Sequence, residues 1–185
     1  MKLQFDEKVF DVQWTGYLKG DPKTIRGAVS TNHAVYLVDA NLGVLSTYSL
    51  TSGQLVTSLY FLGPTVLFST ERHLYYLTPP SKPLNTTFSG LLTSFTSNSL
   101  ILGALSDRLT LLTSNGAILT KSVPLLEPLL LGYLTSTQPD LQIVRRCLQY
   151  LDSQCFSPSL LGALQAMKMA NAAYFVVSNS HVSPG

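Results

Sequence analysis

Ten carboxylates, three histidines and two cysteines are the residues of this chain that could do chemistry beyond packing. Their spacing assembles no catalytic or metal-binding set. Asp6, Glu7, Asp11, Asp21, Asp39, Glu71, Asp107, Asp140 and Asp152 are scattered, and none pairs with another in the way a glycosidase needs. His33, His73 and His181 stand alone, without a partner at metal-ligand spacing. Cys147 and Cys155 form no CxxC pair and read as reduced cysteines of an intracellular protein. A phosphate-binding GxxxxGK loop and a GxSxG nucleophile elbow are both missing, and no serine has a histidine and an acid in a recognisable pattern. The tenth carboxylate, Glu127, lies inside the apolar run LLEPLLLG. It reads as structural, either accepting backbone N–H bonds or staying at the surface, in preference to catalysis. The expectation is a non-enzyme with no cofactor, no metal and no small-molecule substrate.

Bulk composition narrows the class further. Of 185 residues 45% are apolar, which is ample for a packed core, and only 12% are charged, with a formal net charge of +2. That balance makes no basic field for nucleic acid and no acidic field for cationic ligands. A low charged fraction with positive mean hydropathy points to a piece of a larger protein assembly. The opening KLQFDEK is too polar for a signal peptide. The most apolar stretch, residues 123–134, carries Glu127, Pro124 and Pro128 and is too short to cross a membrane, which takes about 18 or more residues. The sequon Asn85-Thr86-Thr87 is set aside for want of a secretory signal.

The elements that would hold these residues fall into a repeat. Runs rich in Val, Leu, Ile, Thr, Tyr and Phe, bounded by turn residues, predict strands in three units of four. The first unit spans residues 8–14, 24–31, 33–38 and 44–49. The second spans 55–61, 65–70, 73–78 and 84–89, and the third 91–97, 99–105, 108–113 and 117–123. A stray strand end precedes them at residues 1–5. Turns recur in place, with Thr31-Asn32, Glu71-Arg72 and Ser106-Asp107 between the second and third strands. Asn115-Gly116 suits a tight hairpin, and Pro79-Pro80 ends a strand. Units of about 40 residues with four antiparallel strands are the mark of β-propeller blades. Trp14 is the only tryptophan and no aspartate follows it, so these are degenerate blades rather than standard WD40 repeats. A β-sandwich is the competing reading. Three blades cannot close a ring, which places further blades N-terminal to Met1, and residues 15–23 form a long loop on the first blade.

Past Leu134 the spacing becomes helical. Pro139 suits a first helical turn, and Leu141, Val144, Leu148 and Leu151 form its apolar stripe, with Arg145 and Arg146 outside it. Ser157-Pro158 starts a second helix with Leu160, Leu161, Leu164 and Met167 on its buried face, and residues 172–177 begin a third. Helix pairs in series begin an α-solenoid. The predicted fold is therefore all-β followed by all-α. Residues 1–123 are the last blades of a partial propeller, 124–135 a crossover and 136–185 the start of a solenoid. Within the crossover Pro124, Leu126, Glu127, Pro128, Leu129, Leu130 and Gly132 are the structural residues, with the prolines expected to break both kinds of regular structure.

Three segments in this order, SLYFLGPTVLFSTERHLYYL (residues 58–77), LGALSDRLTLL (102–112) and LLEPLLLGYL (125–134), resemble the TTRAY subunits of the TSET coat complex. The stretch they resemble is the end of the second propeller and its passage into the solenoid. The plant counterpart is a WD40 subunit of the TPLATE endocytic complex. The resemblance covers residues from about Val12 to about Ala172. It implies two propellers followed by a solenoid, similar to the outer-coat subunits of COPI. It also implies a non-catalytic scaffold that assembles coat and adaptor subunits. Such a protein would be cytoplasmic, peripheral on the plasma membrane or trafficking vesicles through its complex, with no nucleic-acid partner. The first propeller, most of the second and most of the solenoid have no counterpart in this chain. Two other readings stand beside it: a propeller–solenoid subunit of a ciliary transport or tethering complex, and a propeller enzyme or glycan binder.

Overall fold

A computed structural model describes residues 7–16, 25–80, 87–105, 107–135, 160 and 162. Eleven strands and one helix follow one another in these residues. The first sheet holds β1 (Val9–Gly16), β2 (Ile25–Thr31), β3 (Ala34–Asp39) and β4 (Val44–Ser49). The second holds β5 (Val56–Leu62), β6 (Thr65–Thr70), β7 (His73–Leu77) and β8 (Ser89–Ser94). The third holds β9 (Ser99–Leu105), β10 (Arg108–Thr113) and β11 (Ile118–Ser122), and α1 (Leu126–Thr135) follows it. Within each sheet neighbours in sequence are neighbours in space, and every pairing is antiparallel.

Short polar side chains set the turns. The Thr31 hydroxyl accepts the N–H groups of His33 at 3.2 Å and Ala34 at 3.0 Å, closing the β2–β3 turn. Asp39 accepts from the N–H groups of Asn41 and Gly43, both at 2.8 Å, and holds Leu42 at φ 66° between β3 and β4. Asn115 does the same work between β10 and β11, accepting from Ala117 N–H at 3.2 Å and from the Thr113 hydroxyl. Side-chain bonds of this kind replace missing ladder bonds, which is why Asp, Asn and Thr favour turns.

The three sheets stack face to face with the second in the middle. Ala28, Val35 and Leu37 of the first sheet meet Leu59, Val66, Phe68 and Leu77 of the second. Tyr48 of β4 meets Phe68 edge-on at 5.0 Å, and Phe68 stacks on Tyr75 at 5.3 Å. On the opposite face Leu62, Leu67 and Leu74 meet Ile101, Leu109 and Leu111 of the third sheet, with Val123 and Leu125 closing the cluster. As a result β6 is buried at every position. The first strands β1, β5 and β9 lie side by side along one edge of the stack.

A polar chain joins the second and third sheets at that edge. Ile101 N–H donates to the Ser58 hydroxyl at 3.0 Å, Ser58 and Ser69 hydroxyls meet at 2.6 Å, and Ser69 donates to the Ser99 carbonyl at 3.2 Å. Strand β9 is an edge of its own sheet, so these bonds satisfy backbone groups that no strand pairs.

Ten of the twelve expected strands in the three units lie within two residues of their predicted bounds. The order of units breaks at one place. Residues 91–97 were expected to open the third unit, but β8 pairs with β7, placing Leu91 opposite Tyr75, and so closes the second sheet. The expected strand at 84–89 falls mostly on residues outside those described, and Ser89 belongs to β8. The third sheet has three strands among the described residues. The cause is local. Thr78 N–H donates to the Phe88 carbonyl at 2.8 Å, and Phe88 N–H to the Thr78 hydroxyl at 2.8 Å, so the chain beyond Pro79-Pro80 returns beside β7. Residues 1–5, most of the loop at 15–23, and the solenoid helices lie outside the described residues, apart from a buried Leu160 and Gly162. Thr15 and Gly16 themselves belong to β1.

Ser69→Ala removes both the donor to Ser99 and the acceptor for Ser58. It should cost about 1–3 kcal/mol, the range for leaving buried polar groups unpaired. Urea unfolding with an unchanged m-value would measure it; an unchanged midpoint would mean that the chain of bonds does not join the sheets.

Candidate functional site

The crossover is where the described structure departs most from a plain stack of sheets. Residues 123–125 are irregular, with Leu125 N–H bonded back to the Val123 carbonyl at 2.7 Å. A helix then starts at Leu126, which corrects the expectation that the prolines break regular structure throughout 124–134. Pro124 stands before the helix, and Pro128 sits in its first turn, where no N–H is needed for the helical ladder. Both prolines thus delimit the helix instead of interrupting it. Glu127 lies in the same turn, where the unpaired N–H groups favour a negative charge.

The buried side of α1 is almost entirely apolar. Leu130, Leu131 and Leu134 are fully buried, and Leu129 packs on the cluster formed by the second and third sheets. Leu126 is half-buried. The contact with the second sheet is made at the β5–β6 turn. Gly63 has φ +55°, and a Cβ there would come within 2.9 Å of Leu129 and 3.2 Å of the Tyr133 hydroxyl. The Thr65 hydroxyl donates to the Pro128 carbonyl at 2.7 Å. Gly132 lies one helical turn beyond Pro128, and a Cβ there would stand 2.0 Å from that hydroxyl oxygen. The missing side chain is what lets Thr65 reach the helix backbone.

Electrostatics at this contact are mild. Burial raises the Tyr76 phenol above its ordinary value, and the negative charge of Glu127 raises it further. A raised tyrosine favours the neutral folded form. Its contribution is complete below the ordinary value of about 10 and is lost as pH rises through the raised one. At the far end of the stack, the Thr31 hydroxyl holds Glu7 below the usual carboxylate range despite an opposing desolvation effect, and the Tyr36 hydroxyl also donates to it at 3.0 Å.

Other polar residues gather at the rim where the β2–β3 turn, the β4–β5 connection and the β6–β7 turn meet. Two clefts of about 350 and 480 Å³ adjoin there, sharing Gly53, Gln54 and Leu55. Glu71, Arg72, His73 and Asn98 line one, and Asn32 and His33 the other. Gln54 is committed to structure, accepting from Thr51 N–H at 3.1 Å and donating to the Tyr75 hydroxyl at 3.2 Å. Asp39 is occupied by the β3–β4 backbone. Among the described residues no three of His, Cys, Asp and Glu come together as a metal site, and no helix is long and apolar enough to cross a membrane. Cys147, Cys155 and His181 lie outside the described residues. What the crossover can do is mechanical: it clamps a helix onto the turn of the central sheet. Sequence reasoning named Gly132 but missed Gly63 and Thr65, whose only signal was the Gly-Pro turn ahead of a strand.

Gly132→Ala should destabilise the chain by about 1–3 kcal/mol, the usual penalty for overpacking. Thr65→Ala in the same background should restore part of that loss by removing the oxygen it meets. A double-mutant cycle on thermal unfolding measures the coupling, and simple additivity would mean that the helix does not sit on Thr65. No protein-family model matches the chain, and no curated protein does.

Proposed function

We propose that this chain is the end of a β-propeller and the start of an α-solenoid in a non-catalytic scaffold subunit of a vesicle-coat or endocytic adaptor complex. The observation that carries the reading is where the three coat-like segments fall. Residues 58–77 make most of β5, with β6 and β7; residues 102–112 run from the middle of β9 through most of β10; residues 125–134 cover most of α1. All three meet in one cluster of Leu62, Leu67, Leu74, Leu109, Leu111 and Leu125. Segments that resemble a coat subunit in sequence order are thus packed together in space, as they would be at a propeller–solenoid junction. Sheets stacked with β1, β5 and β9 along a common edge are compatible with blades around an axis.

In this reading the stack presents a rim, the clamped helix sets the direction in which the solenoid leaves, and many weak contacts to coat and adaptor subunits add through avidity. Membrane association comes through the complex. The test is affinity purification of the tagged protein at native expression from its own cells. Recovery of adaptin-like or coat subunits is expected; a preparation without them would overturn the assignment. Tagged protein confined to the ciliary base would favour the transport or tethering reading instead.

A further inference from the structure

The end of the stack opposite α1 has a different character. Thr65 at one end of β6 meets the helix, while Thr70 at the other end lines the cleft of about 350 Å³. The second cleft, of about 480 Å³, adjoins it across Gly53, Gln54 and Leu55 and reaches the β2–β3 turn. Both volumes are those of ligand sites. The walls are held by backbone bonds. The Arg72 carbonyl accepts Phe95 N–H at 2.6 Å and the His33 carbonyl accepts Leu50 N–H at 2.7 Å, so each turn is tied to the connection beside it. The divide between the clefts is low, since Gly53 has φ +84° and a Cβ there would meet nothing within 4 Å. Beside it Leu55 is 52% exposed and offers an apolar seat to both clefts. Glu71 and Arg72 make the tight β6–β7 turn and are exposed, and among the described residues no hydrogen bond or ion pair engages either side chain. The His33 ring, in contrast, is held by the Asn32 amide at 2.9 Å, and His73 lies 5.9 Å from the Tyr75 ring.

From this arrangement we propose that the two clefts bind one extended peptide, with a side-chain carboxylate of the peptide on Arg72 and an apolar residue on Leu55. A guanidinium offers a planar fork of donors that a carboxylate accepts in two parallel bonds. Arginine anchors interfaces, whereas glutamate is depleted from them. Glu71 then acts as a selector. Its charge beside Arg72 repels a phosphate, which carries about two negative charges, more than a carboxylate, which carries one. The length of the site argues for a chain. Stacked sheets lie about 10 Å apart and an extended peptide advances about 3.3 Å per residue, so about three residues lead from one turn to the other. The low divide at Gly53 lets the peptide backbone cross. The inference rests on the clefts and not on the coat assignment, which the affinity purification tests separately.

Selection of a random heptapeptide library, displayed on phage, against the full chain tests it. Enriched sequences should place Asp or Glu within about three residues of an apolar side chain. A synthetic copy of the most enriched peptide, acetylated and amidated, should shift the NMR amide signals of Gly53, Leu55, Arg72 and His73 and leave those of α1 in place. Arg72→Gln should weaken its binding about tenfold or more, as expected for losing a charged hydrogen-bond partner. Glu71→Gln should strengthen it, and phosphoserine in place of the acidic residue should bind less well. Enrichment no greater than on a blank surface overturns the proposal, as do enriched peptides that are basic. Unchanged affinity in Arg72→Gln, or tighter binding of the phosphoserine peptide, overturns it as well. Should Arg72→Gln misfold, the signals shifted in the parent chain decide: shifts that avoid both clefts overturn the site.

Discussion

Strand β6 has no solvent face, and the rest of the molecule is arranged around that constraint. Thr65, Val66, Leu67, Phe68, Ser69 and Thr70 are all buried, so alternate residues must find partners in opposite directions. Val66 and Phe68 find the first sheet, and Leu67 finds the third. A buried Leu or Phe contributes about 1.5–3 kcal/mol, so neither layer can be removed without exposing a large part of the core. The hydroxyls are buried too, and each needs a partner. Ser69 uses the Ser99 carbonyl and Ser58, and Thr65 uses the Pro128 carbonyl. The two ends of one strand therefore fix the third sheet and the helix in place.

This explains why small residues matter more at the junction than large ones. Apolar burial alone would let α1 slide or rotate, since leucines at 129, 130, 131 and 134 offer several similar faces. The hydroxyl of Thr65 selects one, because it reaches a helix carbonyl only where Gly132 leaves room. Gly63 then admits Leu129 and Tyr133 over the β5–β6 turn. Hydrophobic contact supplies most of the affinity between helix and sheet, and one directional bond with two glycines supplies the register.

Strand existence was legible in the sequence because turn chemistry punctuates it. Asp39, Asn115 and Thr31 mark turns by side-chain bonds that any neighbouring context would permit, and β2, β3, β4, β10 and β11 follow from them. The grouping into sheets was less legible. Residues 79–88 contain no turn signature that says whether the next strand pairs backward or starts a new sheet, and Ser, Thr and Leu fill both candidates equally. The answer lay in a long-range pair, Thr78 with Phe88, which no periodicity reveals. The same holds for α1. Two prolines within five residues read as breakers, yet one precedes the helix and the other occupies its first turn, where proline costs nothing. The helix-clamping role of Thr65 was hidden for a different reason, because its partner lies 63 residues away.

Several polar side chains of the described residues serve the architecture. Asp39 and Thr31 close turns, Ser58 and Ser69 bridge sheets, Gln54 props Tyr75, and Glu127 sits at a helix start. Apolar side chains on the outer strands of the first and third sheets stay exposed. Val12 and Trp14 at one end, and Leu102 and Leu105 at the other, expose carbon that the interior of the same stack would bury.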